Sequence, residues 1–168
     1  MTNIGVIPVR MNSSRFPGKP LKKILKIPML AHIFERSSLS KKLDNIYIAT
    51  CDKEIFEYSK IIGAKCVLTK KSHQRASDRV EEAVHKIEKL EKIKIKQVVM
   101  IQGDEPLVEP EMIDQSIEYL KKNKEEVTNI CTYIRNENDW KNKNIIKLLR
   151  NKMDNAIYFS RQPIPYMK

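Results

Sequence analysis

The stretch NIGVIPVRMNSSRFPGK, residues 3–19, joins an apolar run to a polar loop that is rich in cations. The run at 3–9 is typical of a buried strand of a parallel sheet, because its apolar residues are nearly continuous. The loop carries Arg10, Arg15 and Lys19, with a single glycine. Guanidinium and ammonium groups are suited to ligands with several negative oxygens, and a nucleoside triphosphate is our hypothesis. A solvated basic loop is the alternative.

Segments typical of strands and helices alternate along the rest of the chain. Strands are predicted at 46–50, 65–69 and 97–101, near 127–134, and as a pair within 145–161. Helices are predicted at 28–39, 53–64, 77–92 and from about 110 to 122. This order predicts an α/β fold with a doubly wound, mainly parallel sheet. We expect residues 1–168 to form one nucleotide-binding domain.

Composition is typical of a globular protein, with 41% hydrophobic and 32% charged residues. No stretch approaches the ~20 apolar residues of a membrane span, so we expect no membrane association and a cytoplasmic location. Three cysteines without a C-x-x-C pair indicate core thiols in a reducing compartment. Of the 32 basic residues behind the net charge of +11, 24 are lysines, and many of these alternate with glutamates as on a solvated helix face. We find no nucleic-acid recognition motif and expect no nucleic-acid partner.

Three polar loops are expected to meet at one edge of the sheet, beyond the carboxyl ends of the strands. They cover residues 10–19, 72–79 and 102–106. In the third loop Asp104 could hold Mg²⁺, and Gln102 offers both a donor and an acceptor. An ordinary acidic turn is the alternative there. His73 has no partner at metal-binding spacing, and the chain has neither a P-loop nor a G-x-G-x-x-G motif.

Taken together, the motifs resemble those of the CMP-Kdo synthetase family, the 3-deoxy-manno-octulosonate cytidylyltransferases. The matching segments, in the family's order and approximate spacing, are IPVRMNSSRFPGKPL, SHQRASDRVEEA, IQGDEPLV and AIYFSRQPIPY. The resemblance runs from Ile4 to Tyr166. It implies a nucleotide-diphospho-sugar transferase-like, Rossmann-like fold. It also implies transfer of CMP from CTP to the sugar acid Kdo, with release of pyrophosphate, for lipopolysaccharide biosynthesis.

The same resemblance implies roles for particular residues of this chain. The triphosphate would be held by Arg10, Ser13, Arg15 and Lys19. The remaining CTP contacts would come from Gln74, Ser77 and Gln102. Asp104 would bind Mg²⁺ and act in catalysis with Arg15 and Lys19, and Arg161 would face the sugar acid. Lys19 is the cation expected to lie nearest the leaving pyrophosphate.

Two segments depart from the family's pattern. The family typically reads H-Q-S-G-T-[DE]-R where this chain has HQRASDR, so Arg75 and Ala76 replace a serine and a glycine. Cys51 occupies the position of the family's A-T-D aspartate, and Asp52 follows it. These changes leave open a related sugar acid, such as 8-amino-Kdo or another nonulosonic acid. A non-catalytic nucleotide-binding or basic interaction protein is the third hypothesis.

The last residues, RQPIPYMK, follow a predicted strand with no closing helix. Family members continue beyond this point with sugar-binding residues, a dimer-forming region and a second metal-binding aspartate. We therefore expect a fold that is incomplete at its C-terminal end, a truncated or split gene product, and a homodimer only if that region is present. The chain alone is expected to bind CTP weakly and to turn over little.

Overall fold

The computed structural model describes residues 2–12, 16–123 and 125–165. The chain divides into two compact units, Met1–Thr128 and Asn129–Lys168, which are described separately. That residues 1–168 constitute one nucleotide-binding domain stays a prediction. The first unit confirms the predicted α/β class and the mainly parallel sheet.

The elements of the first unit follow the predicted alternation. In chain order they are β1 (Thr2–Pro8), β2 (Lys23–Ile24), β3 (Ile27–Pro28), α1 (Met29–Ser38), β4 (Asn45–Thr50), α2 (Lys53–Ile61), β5 (Lys65–Leu68), α3 (Ala76–Glu91), β6 (Ile95–Met100) and α4 (Pro110–Asn123). Four of the strands form a parallel sheet in the order β5-β4-β1-β6. From β1 the chain winds outward through β4 to β5, then returns to place β6 on the other side of β1. The point where the strand order reverses therefore lies between β1 and β6, and such a point is where ligands bind in this class of fold.

Alternate residues of the strands face opposite sides of the sheet, and each side has its own apolar cluster. On one side Ile7 and Ile48 pack with residues of α1, α2 and α4. On the other side Val6 and Tyr47 pack with residues of α3. The helices thus cover both faces, as expected for a doubly wound sheet.

The hairpin formed by β2 and β3 was not predicted. Its turn residues, Leu25 and Lys26, have φ of 49° and 73°. Such a turn is normally signalled by Asn-Gly or Asp-Gly, which this segment lacks. The imidazole Nε2 of His32 in α1 lies 2.9 Å from the Ile24 carbonyl oxygen, which links the hairpin to that helix.

Over its described residues, 129–165, the second unit contains one short helix and two strands. In chain order they are α5 (Glu137–Lys141), β7 (Lys147–Arg150) and β8 (Ala156–Ser160). The two strands pair antiparallel, which confirms the predicted strand pair in the tail. The Lys147 ammonium is buried and donates to the carbonyls of Asn142, Ile145 and Arg161 at 2.5, 2.9 and 3.0 Å. These contacts tie the end of β8 to the segment before β7.

The predicted strand near 127–134 is wrong, because the structure has no strand at these residues. Val127, Ile130 and Tyr133 are exposed by 76%, 56% and 77%. Residues of this type favour strands only where a neighbouring strand packs against them.

The three cysteines are free thiols. Cys51 and Cys66 are half-buried, but Cys131 is exposed, so the expectation of core thiols is wrong for that residue. Burial raises the pKa of the Cys66 thiol, which keeps it protonated at neutral pH.

Within the described ranges, none of the helices has the length and apolar character needed to cross a lipid bilayer.

Candidate functional site

Lys19 and Asp104 meet at the point where the strand order reverses. Lys19 follows Gly18, which has φ of 71°, in the loop after β1, whereas Asp104 lies in the loop after β6. The Lys19 Nζ and Asp104 Oδ2 atoms are 2.9 Å apart. Their side chains are 32% and 52% exposed, so the ion pair contributes little to stability, and both groups are accessible to a ligand.

Gly103 allows the loop after β6 to approach β1 this closely. A Cβ atom at residue 103 would lie 2.3 Å from Val9 Cγ1 and 2.6 Å from the Pro8 carbonyl oxygen. Both distances are shorter than van der Waals contact. Any side chain here would therefore separate the ends of the two strands that carry the site.

The start of the loop after β1 is held by Asp52, at the end of β4. The Met11 amide donates to Asp52 Oδ2 at 2.7 Å, and the Gly18 amide donates to the Met11 carbonyl at 2.9 Å. The Cys51 thiol lies 3.6 Å from the same carboxylate oxygen. Asp52 therefore supplies a carboxylate next to the position where the family has its aspartate. Ser13 and Arg15 lie outside the described residues.

Arg10 and Gln74 come together around a cavity of about 210 Å³ at the end of β1. Arg10 Nη1 donates to the His73 carbonyl at 3.4 Å, which joins the loop after β1 to the segment before α3. The cavity is lined by Pro8, Val9, Arg10, His73, Gln74, Arg75, Ala76 and Arg79. Neither Ser77 nor Gln102 lines it. The Ser77 hydroxyl donates to Asp78 Oδ1 at 3.1 Å, and the Gln102 carbonyl accepts from the Glu105 amide at 3.2 Å.

The replacement of a family glycine by Ala76 causes no backbone strain. Arg75 precedes α3 with φ of −98° and ψ of 148°, an extended conformation, and Ala76 is the first helical residue. Both conformations are open to any L-residue except for the usual limits on proline. The Arg75 side chain is exposed at the edge of the cavity and adds a positive charge there.

One buried and one partly buried contact near the cavity were missed by sequence reasoning. Arg79 is 3% exposed, donates from Nη1 to Thr69 Oγ1, and has no hydrogen-bond partner for Nη2 among the described residues. His73, which seemed isolated in the sequence, donates from Nε2 to Glu82 Oε2. Arg79 and Glu82 belong to α3, whereas their partners Thr69 and His73 precede that helix, so residue spacing gave no signal of either contact.

Arg161, the residue expected on the sugar-acid side, belongs to the second unit. Its Nη1 donates to the carbonyls of Lys143 and Asn144 at 3.2 and 3.4 Å. The guanidinium group is exposed.

The carboxylate of Asp104 fits a magnesium site of the kind completed by a nucleotide. The described residues contain no group of three or more His, Cys, Asp or Glu that could hold a metal by themselves. Mg²⁺, however, is commonly held by one or two carboxylates together with substrate phosphates and water. An exposed carboxylate beside a lysine is chemically suited to that arrangement.

These features define an α/β protein with a doubly wound parallel sheet, with cations and a carboxylate at the reversal of strand order. Residues 4–168 match the family model described as cytidylyltransferase. The chain belongs to the cytidylyltransferase family.

Similar proteins carry a more specific name. The 3-deoxy-manno-octulosonate cytidylyltransferase of Thermodesulfovibrio yellowstonii is 39% identical over 99% of this chain and 66% of its own length. The mitochondrial enzyme of the same name from Arabidopsis thaliana is 41% identical over 98% of this chain and 56% of its own length. The solved structure of CMP:2-keto-3-deoxy-manno-octonic acid synthetase complexed with CTP superposes with a TM-score of 0.85 at 27% identity. That match covers 99% of this chain and 66% of the solved chain, and it confirms the nucleotide-diphospho-sugar transferase-like fold.

Proposed function

We propose that the chain takes part in transferring CMP from CTP to 3-deoxy-manno-octulosonate, giving CMP-Kdo and pyrophosphate for lipopolysaccharide biosynthesis. The observation that carries the proposal is the Lys19–Asp104 pair, 2.9 Å apart at the point where strand order reverses in a cytidylyltransferase-family chain. The relatives' names supply the choice of sugar acid.

In this reaction an oxygen of the sugar acid's anomeric hydroxyl attacks the α-phosphorus of CTP. The bond from that phosphorus to the bridging oxygen breaks, pyrophosphate leaves, and the hydroxyl proton is lost. The protein itself forms no covalent bond in such a transfer. Catalysis therefore depends on positioning the substrates and on neutralising the charge of the phosphate oxygens. Lys19 would stabilise the leaving pyrophosphate, and Arg10, Ser13 and Arg15 would hold the rest of the triphosphate.

Asp104 would hold Mg²⁺ beside Lys19. A metal held there would neutralise charge on the phosphate oxygens and would polarise the attacking hydroxyl. The 2.9 Å contact supports this role, because a ligand that binds Lys19 through a phosphate leaves the carboxylate free for a metal. The remaining nucleotide contacts would come from Gln74, Ser77 and Gln102. The position of Gln74 beside Arg10 in the same cavity supports its role.

The remaining assignments are part of the same proposal. Arg161 would bind the sugar acid, the protein would act in the cytoplasm, and a homodimer would form where a dimer-forming region accompanies this chain. We propose neither nucleic acid nor membrane as a partner. The departure of the HQRASDR segment from the family's pattern leaves a second candidate, transfer to a related acid such as 8-amino-Kdo or another nonulosonic acid.

Isothermal titration of the chain with CTP, with and without Mg²⁺, tests the nucleotide site. We expect weak binding that Mg²⁺ strengthens and that GTP does not reproduce. Pyrophosphate release is then measured with CTP, Mg²⁺ and a panel of sugar acids, and we expect slow release that depends on Kdo. An absence of heat with CTP and Mg²⁺ would refute the nucleotide site. Binding without sugar-dependent release, even after addition of the C-terminal part of a relative, would favour a non-catalytic nucleotide-binding protein.

A further inference from the structure

Glu82 is the centre of a set of contacts outside the nucleotide site. Its Oε2 atom accepts from the Lys70 amide at 2.9 Å and from the His73 imidazole. Its Oε1 atom lies 2.8 Å from Lys86 Nζ, one turn further along α3. The Glu82 and His73 side chains are only 15% and 19% exposed. One carboxylate therefore holds both ends of the segment 70–73.

Two other side chains of α3 fix the residues just before this segment. Lys86 Nζ donates to the Leu68 carbonyl at 2.7 Å, and Arg79 Nη1 donates to Thr69 Oγ1. Side chains of α3 thus contact the end of β5 at Leu68 and then the residues that follow it, up to His73. Of these three side chains, Arg79 lines the nucleotide cavity itself, whereas Glu82 contacts His73, which lines it.

His73 connects Glu82 to the nucleotide site. While its imidazole contacts Glu82, its main-chain carbonyl accepts from Arg10 Nη1 at 3.4 Å. Gln74 is the next residue, and it lines the cavity together with Arg10. A displacement of His73 would therefore move an acceptor of Arg10 and the attachment point of Gln74 at once.

We propose that Glu82 is a positioning residue for nucleotide binding, which acts through His73 to hold Arg10 and Gln74 at the cavity. This inference rests on the proposed function, because it assigns Glu82 to the same CTP site. Glu82 itself need not touch the nucleotide.

The ionisation of Glu82 is consistent with this role. Burial would raise the pKa of its carboxyl group, but hydrogen bonds from Lys86, the Lys70 amide and His73 outweigh that effect and lower the pKa to about 2. The carboxylate is therefore charged across the range in which CTP binding is measured. Charged acceptors make the stronger class of hydrogen bond.

The test compares Glu82→Gln with Glu81→Gln, in the full 168-residue chain. Glu81 is the preceding residue of α3 and is exposed, which makes it a matched control. We expect Glu82→Gln to weaken CTP binding by about tenfold and to speed amide hydrogen exchange at residues 70–75, as for a loosened local segment. Glu81→Gln should leave both quantities at wild-type values.

A double-mutant cycle tests whether Glu82 acts through Arg10. Arg10→Ala should weaken CTP binding by about tenfold in the wild-type chain but by less than about threefold in the Glu82→Gln background. His73→Gln, which keeps a side-chain donor for Glu82, should bind CTP more tightly than His73→Ala. A purely structural role for Glu82 predicts additive effects of Arg10 and Glu82.

The outcomes separate this inference from the proposed function. Unchanged CTP affinity in Glu82→Gln, or strict additivity with Arg10→Ala, would overturn the positioning role. If the wild-type chain binds no CTP, the proposed function fails and the positioning role fails with it. Hydrogen exchange at 70–75 would in that case still report whether Glu82 holds the segment.

Discussion

Lys19 is the cation of the loop after β1 to which the structure gives a specific ion-pair partner, Asp104. The sequence shows three cations in that loop, and the ion pair with Asp104 distinguishes Lys19 from Arg10, whose guanidinium donates to the His73 carbonyl. This pairing follows from topology, since the carboxyl ends of β1 and β6 are neighbours in the sheet. It could therefore be predicted from the order of elements, without any information on side-chain contacts.

Replacing Lys19 by methionine should weaken Mg²⁺-dependent CTP binding by about tenfold or more, because one charged phosphate contact is lost. Sugar-dependent pyrophosphate release should fall by about 10²–10³, the usual effect of losing one stabilising group in a transition state. Titration calorimetry and a pyrophosphate assay measure the two effects. Lys26→Met, an exposed lysine of the β2–β3 turn, is the matched control. Equal behaviour of the two variants would exclude Lys19 from the site.

Gly103 lies so close to β1 that no side chain fits at this position, which a glycine in the sequence suggests but does not establish. Gly103→Ala should lower the free energy of unfolding by about 1–3 kcal/mol, because its Cβ atom meets Val9 Cγ1 at 2.3 Å and main-chain oxygen at 2.6 Å. It should also weaken CTP binding, since Lys19 and Asp104 would be moved apart. Urea unfolding and calorimetry measure these changes.

The control for that variant is Gly63→Ala. Gly63 has φ of 69° but open space around its Cβ position, so its replacement should cost about 1 kcal/mol without any effect on CTP binding. Retention of wild-type CTP affinity by Gly103→Ala would show that the close approach of the two loops is not needed for binding.

Among the elements, apolar runs of four or more residues with a partner strand were predictable, whereas the two-residue strands β2 and β3 and the short helix α5 were not. The strand Asn45–Thr50 is an apolar run that lies between two partner strands, so pattern and environment agree. The residues 127–134 have similar composition but no partner strand in the structure. The helix Glu137–Lys141 is a little over one turn, too short for a periodic pattern to appear.

The candidate site also has a part that was predictable from the sequence and a part that was not. Its three loops were predictable because each follows a parallel strand, whereas the supports of those loops were not. The contact of Asp52 with the Met11 amide and that of Glu82 with His73 depend on packing between elements that are distant in sequence or on opposite ends of a loop. Nothing in residue spacing specifies such partners.

Asp114 of α4 stabilises the connection between α1 and β4. Its carboxylate accepts from the Ser40 hydroxyl at 2.5 Å and from the amides of Lys41 and Lys42 at 3.1 Å each. Burial would raise the pKa of Asp114, but these hydrogen bonds outweigh it and hold the pKa below its ordinary value of 3.8. The stabilisation should thus be complete above that ordinary value and be lost as pH falls below it.

Asp114→Asn should therefore lower the free energy of unfolding by about 1–3 kcal/mol at neutral pH. The difference from the wild-type chain should shrink as the pH falls below about 4, because the carboxyl group is protonated first in the unfolded chain and, at lower pH, in the folded chain as well. Urea unfolding at a series of pH values measures this. Glu111→Gln, an exposed position one turn earlier in α4, is the control. A difference that stays constant down to acid pH would contradict the assigned role of the charge.

At the scale of the whole molecule, the two units have different parts in the proposed reaction. Both apolar clusters consist of residues between Ile4 and Ile117. The described nucleotide-site candidates, from Arg10 to Asp104, also lie in the first unit, whereas the sugar-acid candidate Arg161 lies in the second. The chain spans 66% and 56% of the length of two relatives named 3-deoxy-manno-octulosonate cytidylyltransferase, and it matches them over nearly all of its own length.

A chain shortened to residues 1–128 should fold cooperatively, because it keeps both apolar clusters and the complete four-stranded sheet. Its CTP affinity with Mg²⁺ should stay within about threefold of that of residues 1–168, because the described nucleotide-site candidates all belong to the first unit. Its sugar-dependent pyrophosphate release should disappear with Arg161. Urea unfolding, calorimetry and the pyrophosphate assay test these three statements, with Arg161→Met in the 168-residue chain as the control for the third. Loss of CTP binding from a folded 1–128 chain would show that the second unit contributes to the nucleotide site, and undiminished pyrophosphate release would remove Arg161 from the proposed mechanism.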